Sequence, residues 1–179
     1  MSETVAERYA QAIFELGVET GGVTALIEDF RRLAELYDGS AELRKIMNNP
    51  LVPEADRLAT VNELSDRLGL TDLARNAAGL LTRRKRMYAV SGIAKELDRL
   101  SDQRAGIVRA TVVSAEPLTE WFAEKLTEEL KNMTGRRIVL DRRHDPELLA
   151  GLIIRIGDQV IDGSARTKLA ELSAHLLQS

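Results

Sequence analysis

The chain has 179 residues, enough for one domain or two small ones, and for a core that needs no covalent cross-link. It contains no cysteine, which excludes disulfides and thiolate chemistry, and its two histidines lie far apart along the chain, which disfavours a zinc site. With 25 basic and 28 acidic residues the net charge is −3, without the overall positive field expected of a nucleic-acid binder.

The first predicted element is a helix with an unusually wide apolar face. Gly17 is expected to end this helix, because glycine is a frequent residue at helix C-termini. The face is wider than a single packing contact needs, and its members recur at helical spacing: Ala6, Tyr9, Ala10, Ile13, Phe14 and Leu16.

Three further helices follow over residues 23–68. The second is predicted from Val23 to its end at Gly39, and the third from Ser40 to Met47, before an Asn-Asn-Pro sequence that ends it. Pro53 fits the first turn of the fourth helix. The residues of that helix expected to face inward are Leu58, Val61, Leu64 and Leu68.

The fifth predicted helix begins at the N-cap residue Thr71 and has a smooth, alanine-rich face. Its apolar residues are Leu73, Ala74, Ala77, Ala78, Leu80 and Leu81. Small side chains allow close approach of another helix, either within the bundle or as a partner in a groove. Arg83–Arg86 follows directly, and is either a solvated corner or a contact for phosphates or an acidic partner.

A sixth helix, carrying Val90, Ile93, Leu97 and Leu100, completes a predicted six-helix bundle over residues 1–105. The hydrophobic period changes near Ile107, and residues 106–179 are expected to form a small mixed-sheet α/β domain. The predicted fold class is therefore mainly α with a small α/β part. The expected elements of the second domain are strand Ile107–Ser114, a helix ending at Gly135, strand Ile138–Leu140, strand Leu152–Ile156, return strand Val160–Ile161, and a helix capped by Ser164 that carries Ala165, Leu169, Leu172 and Leu176.

The sequence offers little that could support catalysis. Glu128 and Glu129 are adjacent on a helix and do not face each other, and no glycine-rich phosphate-binding motif occurs. We therefore expect no active site, no cofactor and no metal. Two alternatives remain open: a small enzyme with an α/β core, and a helical adaptor that binds nucleic acid through Arg83–Arg86, Arg136–Arg137 and Arg142–Arg143.

Four sequence features together resemble the delta-subunit family of the bacterial rotary ATP synthase, whose mitochondrial members are the oligomycin-sensitivity-conferring proteins. The most specific feature is GLIIRIGDQVIDGS over Gly151–Ser164, followed by Leu169. The others are Tyr9-Ala10-x-Ala12-Ile13-Phe14, Asn49-Pro50, and Ile107–Ala115 before Pro117. The chain departs from the family at Arg83–Arg86, where relatives more often carry a short turn with Asn or Gly.

The resemblance implies a non-catalytic stator subunit that links the catalytic head to the peripheral stalk, so that rotor torque is resisted and proton flow stays coupled to ATP synthesis. It implies that the bundle takes the N-terminal helix of an alpha subunit into a groove between its first and fifth helices, and that residues 106–179 bind b-type stalk subunits. The groove residues it points to are Ala6, Tyr9, Ala10, Ile13, Phe14, Ala74, Ala77, Ala78 and Leu81.

The sequence also suggests where the protein works. No apolar run approaches the length of a membrane span, and the N-terminus lacks the basic and apolar regions of a signal peptide. We expect a peripheral protein on the cytoplasmic face of the bacterial plasma membrane, within the synthase complex and without nucleic-acid partners.

Overall fold

The computed structural model describes residues 2–114, 118–144 and 152–156. In these ranges the chain is mainly helical, with a small sheet near its C-terminal end. It divides into two compact units, Met1–Ser101 and Asp102–Ser179. The division falls slightly before the boundary predicted at residue 105. Asp102, in the last turn of a helix, forms an ion pair with Arg109, and both residues belong to the second unit.

Six α-helices and one 3-10 turn make up the described part of the first unit. They are α1 (Ser2–Glu19), α2 (Val23–Gly39), α3 (Ala41–Asn48), α4 (Glu54–Leu68), α5 (Asp72–Arg83), the 3-10 turn Met87–Ala89, and α6 (Val90–Arg104), whose last turn crosses the division. The predicted N-cap of α5 is confirmed, because Thr71 Oγ1 accepts from the N–H of Ala74. Ser40, predicted as the first residue of the third helix, is instead the N-cap of α3, and its Oγ accepts from the N–H of Leu43.

The prediction that the first helix ends at Gly17 is wrong, because α1 continues to Glu19. Gly17 is buried where α1 meets α2. A Cβ built on it would lie 2.8 Å from Leu26 Cδ2 and 3.3 Å from the Cα of Val23. The glycine therefore permits a close approach of two helices, and the chain turns later, at Gly21 with φ of +71°.

One apolar core fills the first unit, with side chains from the helices and the 3-10 turn. Among its largest fully buried members are Leu26, Phe30, Leu33, Val61, Leu81, Val90, Ile93 and Leu97. Helix α4 departs from the predicted inward face. Leu58, Leu64 and Leu68 are only half-buried, whereas Arg57 and Ser65 are buried together with Val61.

The described part of the second unit contains β1 (Ile107–Ser114), α7 (Glu120–Thr134), β2 (Arg137–His144) and β3 (Leu152–Ile156). The three strands lie in the order β2-β1-β3. Strand β1 pairs parallel with β2 and antiparallel with β3, so the sheet is mixed, and α7 connects the parallel pair. The core of this unit lies between α7 and the sheet and contains Ala110, Val112, Phe122, Leu126, Leu130 and Ile138.

The strand predicted at Leu152–Ile156 is confirmed as β3. The return strand at Val160–Ile161 and the helix predicted after Ser164 lie outside the described residues. In the described ranges, every helix is too short or too polar to span a lipid bilayer.

Candidate functional site

A cleft of about 840 Å³ opens on the surface of the first unit between α1 and α5. Apolar side chains line the cleft along both helices, and basic side chains lie at one end of it. The lining residues are Arg8, Tyr9, Ala12, Ile13 and Leu16 of α1, and Leu73, Asn76, Ala77, Leu80, Arg84 and Arg86 of α5 and the turn beyond it.

The apolar lining consists of one stripe on each helix. On α1 the stripe contains Tyr9, Ile13 and Leu16, and on α5 it contains Leu73, Ala77 and Leu80, each set at the three- and four-residue spacing of a helix face. Leu16 is 47% exposed and Leu80 is 44% exposed. Large apolar side chains left exposed on two neighbouring helices are typical of a surface that binds a partner.

Only Tyr9, Ile13 and Ala77 of the predicted groove residues line the cleft. The remaining groove candidates do not line the cleft and are buried in the core of the first unit: Ala6, Ala10, Phe14, Ala74, Ala78 and Leu81. On α5, Leu73, Ala77 and Leu80 line the cleft. Ala74, Ala78 and Leu81 each lie one position later and face the core, because neighbouring positions on a helix differ by about 100° of rotation. The smooth face of α5 thus serves packing inside the bundle.

Sequence reasoning missed several residues of the cleft: Arg8, Ala12, Leu16, Leu73, Asn76, Leu80, Arg84 and Arg86. A signal for part of this set was present, because Leu73 and Leu80 stand seven residues apart and flank Ala77 on one helix face. The basic residues carried no such signal, since an arginine at a helix end also suits a purely solvated corner.

A buried aspartate on α2 fixes the N-terminal end of α5. Asp29 is 1% exposed, and its Oδ2 accepts from the N–H of Thr71 at 2.8 Å and from Thr71 Oγ1 at 2.7 Å. Its Oδ1 accepts from Arg32 Nη2 at 2.5 Å, and Arg32 Nη1 donates to the carbonyl of Leu68 at 2.8 Å. One carboxylate thereby ties α2 to the N-cap of α5 and, through Arg32, to the C-terminal end of α4.

The C-terminal end of α5 closes with two backbone hydrogen bonds around a residue in the left-handed conformation. Lys85 has φ of +54°, its N–H donates to the carbonyl of Thr82 at 3.0 Å, and the N–H of Arg86 donates to the carbonyl of Leu81 at 2.7 Å. Arg86 then donates from Nη1 to Tyr88 Oη at 2.5 Å, with its guanidinium 5.9 Å from the ring centroid. This turn brings Arg84 and Arg86 to the cleft.

A second polar contact braces the bundle away from the cleft. Arg31 of α2 binds Asp98 of α6 through Nη2 at 2.5 Å and through Nε at 3.1 and 3.2 Å. This hydrogen bonding raises the pKa of the Arg31 guanidinium, which is therefore charged at any working pH. The pair is partly exposed, and it contributes to the alignment of α2 and α6 more than to stability.

Two basic residues of the nucleic-acid alternative, Arg142 and Arg143, are ion-paired on the second unit. Arg142 Nη1 lies 2.7 Å from Glu120 Oε1, and Arg143 Nη2 lies 3.2 Å from Asp141 Oδ2. Both pairs lower the positive potential of β2. Within the described ranges, no group of three or more His, Asp or Glu side chains is placed to hold a metal ion.

Comparisons of sequence give a consistent result across nearly the whole chain. The family model described as ATP synthase delta (OSCP) subunit matches residues 5–176. The chain is 37% identical over 172 residues to an ATP synthase subunit delta of Paracoccus denitrificans, covering 96% of this chain and 92% of that protein. It is also 37% identical over 175 residues to an ATP synthase subunit delta of Anaeromyxobacter, covering 98% of both chains.

A comparison of folds agrees. A chain in the cryo-EM structure of the Toxoplasma gondii mitochondrial ATP synthase hexamer superimposes with a TM-score of 0.63 at 24% identity, covering 96% of this chain and 97% of that one. At that identity the likeness shows a shared fold. The family match and the bacterial relatives show more: the chain belongs to the ATP synthase delta (OSCP) subunit family.

Proposed function

We propose that this protein joins the catalytic head of a rotary ATP synthase to its peripheral stalk and keeps the head from turning with the rotor. As a member of the delta (OSCP) family it is a non-catalytic stalk subunit of that complex. In the proposal the first unit binds the N-terminal helix of an alpha subunit, and the second unit binds b-type stalk subunits. The protein works peripherally, on the cytoplasmic face of the bacterial plasma membrane.

The observation that supports head binding most strongly is the pair of exposed apolar stripes on α1 and α5. The α5 side of the cleft runs from Leu73 to Arg84 and is about 16 Å long at 1.5 Å per residue. A docked helix of about three turns has the same length. An amphipathic partner helix would bury the exposed part of Leu16 and of Leu80, which is a little under half of each residue. Full burial of such a side chain is worth about 1.5–3 kcal/mol, so covering the exposed half of each would contribute about 1 kcal/mol before the costs of association.

Attachment at two ends suits the mechanical role. Once one unit is bound, binding of the other becomes intramolecular and benefits from a high effective concentration. Release of the whole protein then requires both contacts to open together. A linker that resists torque needs such slow release more than it needs a very tight single interface.

A single substitution in the cleft tests head binding. We expect Ala77→Glu to abolish or strongly weaken binding of a synthetic peptide of the alpha-subunit N-terminus, measured by titration calorimetry, because a carboxylate would stand on the apolar floor. Ala59→Glu, on an exposed position of α4, is the matched control and should bind as wild type. Unchanged peptide affinity in a folded Ala77→Glu variant would exclude the cleft as the binding site.

The assignment of the stalk to the second unit is tested by retention of b-type subunit on immobilised protein. We expect residues 106–179 to retain it and residues 1–105 to retain none. The reverse result, with retention only by residues 1–105, would contradict the proposed arrangement of the two contacts.

A further inference from the structure

From the charge of the cleft, we infer that its occupant is an amphipathic helix with acidic side chains in one terminal turn, held there by Arg8, Arg84 and Arg86. The inference rests on the proposed head binding and adds a polar specificity contact to it. It also gives a role to part of the basic run Arg83–Arg86.

The lining of the cleft is positively charged without internal compensation. None of its lining residues, all of which belong to the described part of the chain, is acidic, whereas three are arginines. On α1, the positions three and four residues from Arg8 on either side hold Thr4, Val5, Gln11 and Ala12, so no carboxylate is placed for an intrahelical ion pair.

The three arginines lie together at one end of the cleft. Arg84 and Arg86 are the last two lining residues, in the turn after α5, whereas Arg8 is the first lining residue along α1. The start of α1 packs beside the residues that follow Arg86: α1 contacts the 3-10 turn, and a Cβ on Gly92 would lie 3.0 Å from the Cβ of Ala6. The beginning of α1 and the end of α5 therefore meet at the same end, and the other end is apolar.

Because the arginines lie at one end of the cleft, they would also determine in which of two orientations the partner helix binds. Apolar burial along the stripes would hold a helix in either orientation, because the hydrophobic effect is non-directional. Carboxylates in one terminal turn would gain guanidinium contacts in only one orientation, since in the other they would lie on the apolar end. Paired guanidinium–carboxylate contacts are geometrically specific, which suits a connection that must be made in one register.

Neighbours in the basic run provide a matched control. Arg83 and Lys85 lie in the same run but do not line the cleft. The double variants Arg84→Gln/Arg86→Gln and Arg83→Gln/Lys85→Gln remove the same charge from the protein, but only the first removes it from the cleft. The first also removes the contact between Arg86 and Tyr88, which Arg8→Gln leaves in place. Arg8→Gln is an independent third variant, on an exposed position of α1, which leaves the turn after α5 intact.

The experiment titrates full-length variants with the alpha-subunit N-terminal peptide, and with a second peptide in which every Asp and Glu is changed to Asn and Gln. We expect Arg84→Gln/Arg86→Gln to weaken binding of the acidic peptide about fivefold at low salt, the size expected for two partly exposed ion pairs. Arg8→Gln should weaken it about twofold, and both losses should shrink in roughly 0.5 M salt. The control variant, and all variants with the neutral peptide, should show no such loss.

The outcomes separate this inference from the proposed function. If the cleft arginine variants bind the acidic peptide as wild type does while Ala77→Glu does not bind it, the charge inference is wrong and head binding in the cleft stands. If Arg83→Gln/Lys85→Gln weakens binding of the acidic peptide equally, the effect depends on the net charge of the protein and not on the arginines in the cleft. That result would also overturn the inference. If wild-type protein binds neither peptide, the proposed head binding fails and the inference fails with it.

Discussion

The contact that fixes α5 against the bundle should be essential for the stability of the first unit. Removing the Asp29 carboxylate by Asp29→Ala deletes the acceptor of three hydrogen bonds, two from Thr71 and one from Arg32. Hydrogen bonds to a charged group are worth about 1.5–3 kcal/mol each, but they are not additive, and water can reach Arg32, which is 41% exposed. We therefore expect a loss of about 3–4 kcal/mol in the free energy of unfolding.

A graded series and a control sharpen this prediction. Asp29→Asn keeps the volume but offers one oxygen in place of two, so it should lose about 2 kcal/mol. Asp38→Ala removes an exposed carboxylate that accepts one hydrogen bond, from Ser91 Oγ at 2.7 Å, and should lose less than about 1 kcal/mol.

The measurement is urea unfolding followed by far-ultraviolet circular dichroism, combined with hydrogen exchange of the amides of residues 72–83. In Asp29→Ala, exchange across the first turns of α5 should accelerate before the rest of the unit is affected, because its N-cap has lost its anchor. A loss below about 1 kcal/mol, or unchanged exchange in α5, would refute the reasoning that Asp29 positions this wall of the cleft.

Three further substitutions test separate features. Lys85→Gly should raise the free energy of unfolding by about 0.5–1 kcal/mol in urea titration, because it relieves the positive φ that ends α5; a loss of stability would contradict that account. Gly17→Val should lower it by about 3 kcal/mol by overpacking against Leu26, whereas a neutral result would mean that the two helices can separate freely. Ala78→Glu should unfold the first unit, because Ala78 is fully buried, whereas Ala77→Glu should change the thermal midpoint little; equal midpoints for the two variants would contradict the assignment of their faces.

Periodicity and capping residues predict the α-helices of the first unit, but neither the 3-10 turn Met87–Ala89 nor the phase of every helix. On α4, Leu58 and Leu64 were expected inward, yet Arg57 and Ser65 are buried in their place. Ser65 is accommodated because its Oγ donates to the carbonyl of Val61 at 2.7 Å, which satisfies the hydroxyl inside the unit. Hydropathy alone does not anticipate a local bond of that kind.

Hydropathy along one helix also does not show which of its faces packs inward, and this explains why the sequence identifies only part of the cleft lining. The two helices predicted to form the groove do line a cleft, and both carry apolar residues on more than one face. Which face is inward depends on the neighbours of each helix: Ala6 is held by Gly92 of α6, and Asp29 orients the start of α5 through Thr71. These contacts join residues far apart in sequence, so a pattern read along a single helix does not contain them.

The position of β2 in the sheet has a consequence for the life of the protein before assembly. Among the described strands β2 lies at an outer edge, with Asp141, Arg142 and Arg143 exposed along its second half. A strand from another copy that added to this edge would have to strip water from those charges, which discourages sheet-to-sheet aggregation. We therefore expect unassembled copies to resist association with one another through this edge.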